Sequence, residues 1–133
     1  MVPSPLHRRV LVVDDNADSL ESMAMLLGLM GHEVATAVDG LDAVRTAEAF
    51  RPDVILMDIG LPKLDGLGAT RRIRETPWGQ SIVIIAVTGW GQDTDRALSR
   101  AAGCNAHLVK PIEITDLDPF LARLGVQPGS AAV

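Results

Sequence analysis

Five side chains able to do chemistry stand where apolar runs stop. Residues 10–13 end at Asp14 and Asp15, 54–57 at Asp58, 82–87 at Thr88, and 106–109 at Lys110. If those runs are strands of one parallel sheet, their C-terminal ends share an edge, and that edge is where open α/β sheets bind ligands. A lone Asp at a strand end is as readily a turn cap as a ligand. Suitable side chains at four such ends favour a site. Three carboxylates in one place repel, by about 4 kcal/mol per pair at 4 Å and an effective dielectric of 20. Raised pKa values or a bound cation relieve that. Hard oxygen donors on a partly hydrated site suit Mg²⁺. With Lys110 opposite and Thr88 as a neutral donor, the set suits a transferred phosphoryl group, handled by positioning and charge stabilisation. Asp58 is the carboxylate best placed as nucleophile, giving an acyl phosphate.

The elements that must hold these groups follow from periodicity. Residues 54–57 are continuously apolar between Pro52 and the Gly60/Pro62 breakers, the pattern of a strand buried on both faces. Residues 10–13, 82–87 and 106–109 read the same way, and 33–38 alternates as an edge strand does. Between them lie helical patterns: Leu20, Met23, Ala24, Leu27 and Met30, closed by Gly31; Ala43, Ala47 and Phe50 after the Asp39-Gly40 turn; Ala69 and Ile73 within 66–75; Ala97 and Ala101 within 92–102; and Leu117, Phe120, Leu121 and Leu124 within 114–124. Five strands alternating with five helices imply an α/β, flavodoxin-like (βα)5 three-layer sandwich. Its parallel sheet has the order 2-1-3-4-5 and right-handed crossovers.

Composition narrows the function classes. The chain has 133 residues, 47% of them apolar, and a net charge of −5. That fits one folded domain and argues against direct nucleic-acid binding. Arg71, Arg72 and Arg74 cluster on one helix and read as a solvated face. One cysteine, Cys104, excludes an internal disulfide, fits a reducing compartment and reads as a small buried filler. No apolar run approaches the ~20 residues of a membrane helix, and the first residues lack a signal-peptide core, so the expected location is cytoplasmic. Residues 1–8 and 126–133 read as flexible tails around a domain spanning 9–125.

The motifs Val12-Val13-Asp14-Asp15-Asn16, Met57-Asp58-Ile59-Gly60-Leu61-Pro62, Asp65-Gly66, Val87-Thr88-Gly89 and Leu108-Val109-Lys110-Pro111 fall in one order and spacing. On them the chain resembles the CheY-like receiver domains of two-component response regulators. The resemblance implies a phosphoacceptor signalling domain of a phosphorelay, a regulatory module catalysing only its own phosphoryl transfer and dephosphorylation. Asp58 would accept the group from a histidine kinase or a histidine phosphotransfer domain. Asp15, Asp58 and the Gly60 carbonyl would ligate Mg²⁺, with Asp14 acting through a metal-bound water. Thr88 would be the switch hydroxyl and Lys110 the phosphate-binding ammonium. The Lys110–Pro111 peptide would be cis.

Three positions depart from the commonest pattern of that family. His107 stands where an aromatic switch residue is usual, and is read either as a titratable switch or as a partly exposed His without that role. Gly60 and Trp90 occupy positions that modulate phosphoryl loss; Gly60 leaves water an open approach, and Trp90 either covers the site or packs on the adjacent loop. Trp78-Gly79, the 88–92 stretch and His107 also resemble receivers of hybrid histidine kinases. No acid stands in Asn105-Ala106-His107, so a monomer or weak dimer is expected.

Rival readings are an aspartyl-phosphate phosphohydrolase of haloacid-dehalogenase type, a nucleotide-binding module and a receiver-like scaffold that is never phosphorylated. The first needs an acid two residues after its nucleophile, where this chain has Gly60. The second rests on Gly89-Trp90-Gly91 with Thr94 at the third-glycine position, a weak fragment. Intact Asp58, Thr88 and Lys110 oppose the third.

Overall fold

The computed structural model describes residues 8–59, 65–89, 93–110, 112 and 115–117, without the side chains of 93–96. Strands β1 (Arg9–Val13), β2 (Glu33–Ala37), β3 (Val54–Asp58), β4 (Val83–Thr88) and β5 (Ala106–Val109) alternate with helices α1 (Ala17–Leu29), α2 (Gly40–Phe50), α3 (Gly66–Arg74) and α4 (Asp93–Ala102). All pairings are parallel, in the order β2-β1-β3-β4-β5. The expected topology is the observed one. Residues 115–117 are helical, and the rest of the expected fifth helix, like both tails, lies outside the described residues.

Alternation along β3 divides the core in two. Ile55 and Met57 join Leu11, Val13, Ala43, Ala47, Ala69, Ile73 and Ile84 on the face covered by α2 and α3. Val54 and Leu56 join Val10, Val12, Leu20, Leu27, Ile85, Val87 and Leu117 on the face covered by α1. Every β3 residue is buried, as a central parallel strand requires. Fully buried Leu11, Leu27, Ile55, Ile73, Ile84 and Ile85 each contribute about 1.5–3 kcal/mol of transfer free energy.

Side-chain caps start α1, α2 and α3. Asn16 Oδ1 accepts from Ser19 N at 3.0 Å, Asp39 Oδ1 from Asp42 N at 2.7 Å and Asp65 Oδ1 from Gly68 N at 2.7 Å. Each satisfies an otherwise orphaned donor, worth about 1 kcal/mol. Asn16 and Asp65 also fix where the chain leaves β1 and re-enters beside β3.

Two expectations fail here. Among the described side chains of α4 the buried ones are Ser99 and Ala102, while Ala97 and Ala101 are exposed. Alanines gain little by burial, so Ala97 and Ala101 do not decide which face of the helix turns inward. The turn after it is closed by Cys104 N donating to Ser99 O at 3.0 Å and Gly103 N to Arg100 O at 3.0 Å. The arginines of α3 are not all solvated either. Arg71 and Arg72 are exposed, but the Arg74 guanidinium lies among backbone carbonyls. Burial pulls its pKa down, only partly offset by Cys104. Cys104 is buried as expected. Burial pushes its thiol up, against the smaller opposing effects of Thr70 and Arg74, which leaves it protonated and inert.

Candidate functional site

Each group reaches the sheet edge by a different local device. Asp14 follows β1 and is held down by its own N–H, which donates to Ala37 O at 3.1 Å across to β2. Its Oδ1 accepts from Asn16 N at 2.9 Å, folding the turn that lets Asn16 cap α1. Asp15, one residue on, is exposed. Asp58 is the last residue of β3 and only 7% accessible.

The main chain at Asp58 is clamped from two sides. Ile59 N donates to Val87 O at 3.0 Å, and Gly66 N to Ile59 O at 3.1 Å. Helix α3 begins so close that a Cβ on Gly66 would stand 2.2 Å from the Asp58 carbonyl oxygen. Only glycine fits there. Asp65 and Gly66 therefore have separate tasks, the first capping α3 and the second permitting its approach.

Lys110 arrives on β5, where its N–H donates to Thr88 O at 2.8 Å. Its Nζ lies 3.1 Å from Asp58 Oδ2 and 3.4 Å from Asp14 Oδ2. Burial is the largest single influence and lowers the ammonium's pKa. The hydrogen bond and charge of Asp58, with those of Asp14, outweigh it and hold Lys110 above the ordinary lysine value. Thr88 closes β4 and is 8% accessible.

Carboxylate oxygens of Asp14, Asp15 and Asp58 lie within 4.8 Å of one another. An octahedral ion with bonds of about 2.1 Å spaces its trans ligands about 4.2 Å apart, so small side-chain rotations would close this set on one ion. Charge fits as well. Lys110 balances one of three negative charges, and the two left match a divalent cation. The exposed Asp15 leaves a side open for water ligands, as Mg²⁺ requires. A cavity of about 610 Å³ adjoins the site and is lined by Asp14, Asp58 and Lys110 together with Met23, Leu26 and Leu56.

The structure thus brings together Asp14, Asp15, Asp58 and Lys110, with Thr88 beside them on the neighbouring strand. His107 sits further down β5, opposite Ala86, and is half-buried. Its Nδ1 is 3.4 Å from Ser99 Oγ, and its enclosed Nε2 has no hydrogen-bond partner among the described residues. Gly60, Trp90 and the Lys110–Pro111 peptide fall outside the described residues. Residue type alone does not show why position 66 is glycine; a glycine opening a helix directly after a capping Asp is the sign in the sequence of such a close approach.

The family model described as response regulator receiver domain matches residues 10–121. The transcriptional regulatory protein PrrA of Mycobacterium tuberculosis is 39% identical over 124 residues, covering 93% of this chain and 52% of PrrA. The chain therefore spans about half the length of that relative. Protein PilH of Pseudomonas aeruginosa is 36% identical over 105 residues, covering 79% of this chain and 87% of PilH. Among solved structures, the receiver domain of the sensor histidine kinase PA1611 from P. aeruginosa is 38% identical with a TM-score of 0.82. The match covers 91% of this chain and 99% of that domain, which holds a magnesium ion coordinated in its active-site cleft.

Proposed function

The chain belongs to the response-regulator receiver family, a class of regulatory signalling domains, and on that premise we propose that Asp58 is its phosphoacceptor. The observation that carries this reading is the Lys110 ammonium bridging Asp58 and Asp14, with Asp15 completing a carboxylate set spaced for one divalent ion. Asp14, Asp15 and Asp58 would hold Mg²⁺, joined in our reading by the Gly60 carbonyl. When bound, the ion supplies charge neutralisation for the transferred group.

In the step we infer, a carboxylate oxygen of Asp58 attacks the phosphorus of a phosphohistidine. The new P–O bond forms as the P–N bond breaks, and the departing imidazole nitrogen keeps the electron pair. Lys110 shifts from pairing with Asp58 to pairing with a phosphoryl oxygen, so its positive charge stays with the developing negative charge. Thr88 donates its hydroxyl to another phosphoryl oxygen. The donor is a histidine kinase or a histidine phosphotransfer domain. Phosphorylation then biases a protein-interaction surface formed by α4, β5 and the expected fifth helix. A few kcal/mol of differential interaction are enough for that. We further read residues 9–125 as the folded receiver, flanked by tails and working in the cytoplasm. Among the described residues no helix is long and apolar enough to cross a membrane.

Incubation with acetyl phosphate and Mg²⁺, followed by intact-mass measurement, tests the reading. One added phosphoryl group per chain, removable by hydroxylamine and absent in Asp58→Asn, is the expected result. Steady multi-turnover release of phosphate without a lasting adduct would favour the phosphohydrolase instead. No adduct and no release would favour the scaffold.

A further inference from the structure

Strand β5 carries Lys110, yet it is the shortest strand and the least buried. Its four residues are half-buried at Ala106, His107 and Leu108 and exposed at Val109. β3, by contrast, is buried throughout. In a parallel sheet the hydrophobic pattern normally sets register, because a one-residue slip turns every side chain to the other face. Ala-His-Leu-Val offers a weak choice, since both faces would present one apolar residue and a second that is small or polar. A slip of one residue would carry Lys110 about 3.3 Å along the strand, out of reach of Asp58.

Something other than burial must fix the register, and the opposite end of β5 supplies it. Asn105 N donates to Ile84 O at 2.7 Å, while Asn105 Oδ1 accepts from Ile84 N at 2.8 Å. Asn105 thus grips both backbone groups of one β4 residue. The same Oδ1 accepts from Arg74 Nη2 at 2.7 Å. Arg74 Nε donates to Gly103 O at 2.9 Å, and Nη1 to Gly79 O and Ile82 O, each at 2.7 Å. One planar guanidinium therefore joins the end of α3, the approach to β4 and the turn before β5. Gly103 makes room for it: its φ is +114°, and a Cβ there would lie 2.8 Å from Arg74 Cγ. A lysine ammonium could not span these partners.

We propose that Arg74 and Asn105 form a register clasp for β5 and are positioning residues for Lys110. The role in phosphoryl transfer rests on the phosphoacceptor reading; the register itself does not. Asn105 is exposed, so its replacement should leave the domain folded.

The test compares Asn105→Ala, Arg74→Met and Asn105→Asp with Leu27→Ala, a destabilising control in the core beneath α1. NMR reads the register through Ala86–His107 cross-strand contacts and through exchange of the Lys110 amide, which donates to Thr88. Phosphoryl uptake from acetyl phosphate reads the consequence. In Asn105→Ala and Arg74→Met we expect Lys110 amide exchange to rise about tenfold or more, as for a locally opened strand. Uptake should fall by about 10- to 100-fold, the order expected of misplacement by an ångström or more. Asn105→Asp keeps the acceptor and should behave as wild type. Leu27→Ala should move neither readout more than global stability requires. The proposal is overturned if Asn105→Ala keeps the wild-type contacts and amide protection, if Leu27→Ala shifts both readouts equally, or if register changes without loss of uptake. Should wild type take up no phosphoryl group, the phosphoacceptor reading fails, and the clasp is judged on the Lys110 amide and the cross-strand contacts alone.

Discussion

Lys110 and Arg74 stand at opposite ends of the sheet and are set in opposite surroundings. At the C-terminal edge Lys110 faces two carboxylates at 3.1 and 3.4 Å. At the N-terminal edge Arg74 faces carbonyls and an amide oxygen at 2.7–2.9 Å, with a looser contact to Gln80 O at 3.3 Å. Anionic partners raise the lysine's pKa, whereas burial among neutral groups lowers the arginine's. Lys110 is a compact charge on a flexible stem and can exchange one oxygen for another. Arg74 is a rigid fork whose bonds are mutually dependent. On the proposed function, the contrast separates a working edge, where charge is held for transfer, from an anchoring edge, where backbone is held in place.

The largest expected effect sharpens the first half of that contrast. Asp58→Asn should abolish stable phosphoryl uptake while raising Tm in metal-free buffer by a few degrees, because one of three crowded carboxylates loses its charge. The gain is tempered by the lost Lys110 pairing. A fall in metal-free Tm would show that the ion pair, not the crowding, dominates the working edge.

Gly66→Ala comes next. Its new Cβ would meet the backbone of Asp58 and Ile59, which has little freedom to yield, so overpacking should cost about 3 kcal/mol in urea denaturation. A neutral result would mean that β3 and α3 separate easily, and that the working edge lacks a firm floor. Addition of Mg²⁺ should then stabilise the wild-type chain by about 2.7 kcal/mol at one hundred times its Kd, and this gain should be lost with EDTA. An equal gain in a chain lacking Asp15 and Asp58 would place the ion elsewhere.

The smallest effect concerns pH. A lysine whose folded pKa is raised stabilises fully below its unfolded value, here 10.5, and loses that contribution as pH rises through the folded value. The stability difference between wild type and Lys110→Met should therefore be flat up to about pH 10 and shrink above 10.5, as read by urea unfolding at several alkaline pH values. A difference that grows in that range would contradict the pairing with Asp58 and Asp14.

Much of the working edge was legible without coordinates, because continuous apolar runs ending in polar residues encode both a buried strand and the place where it stops. Asp14, Asp58, Thr88 and Lys110 declared themselves in this way. The anchoring edge did not. Arg74 stands beside Arg71 and Arg72 and has the same local spelling as a solvated face. Its partners are carbonyls, which every residue carries, so nothing in the residue types of 79, 82 or 103 announces them. The rotation of α4 was hidden for a related reason: Ala97 and Ala101 are apolar enough to be buried and small enough to be left out, and Ser99 took the inner position beside His107. Side-chain chemistry is spelled out locally, whereas main-chain reception is decided by the fold.

One consequence follows from the absence of any gap between Gly66 and the Asp58 carbonyl. The strand end cannot recoil inward when mass is added to its side chain. On the phosphoacceptor reading proposed above, a phosphoryl group on Asp58 would take its volume from the outer side of the cleft. Inward support of this kind would turn that proposed covalent change into outward displacement, at a surface another protein could sense.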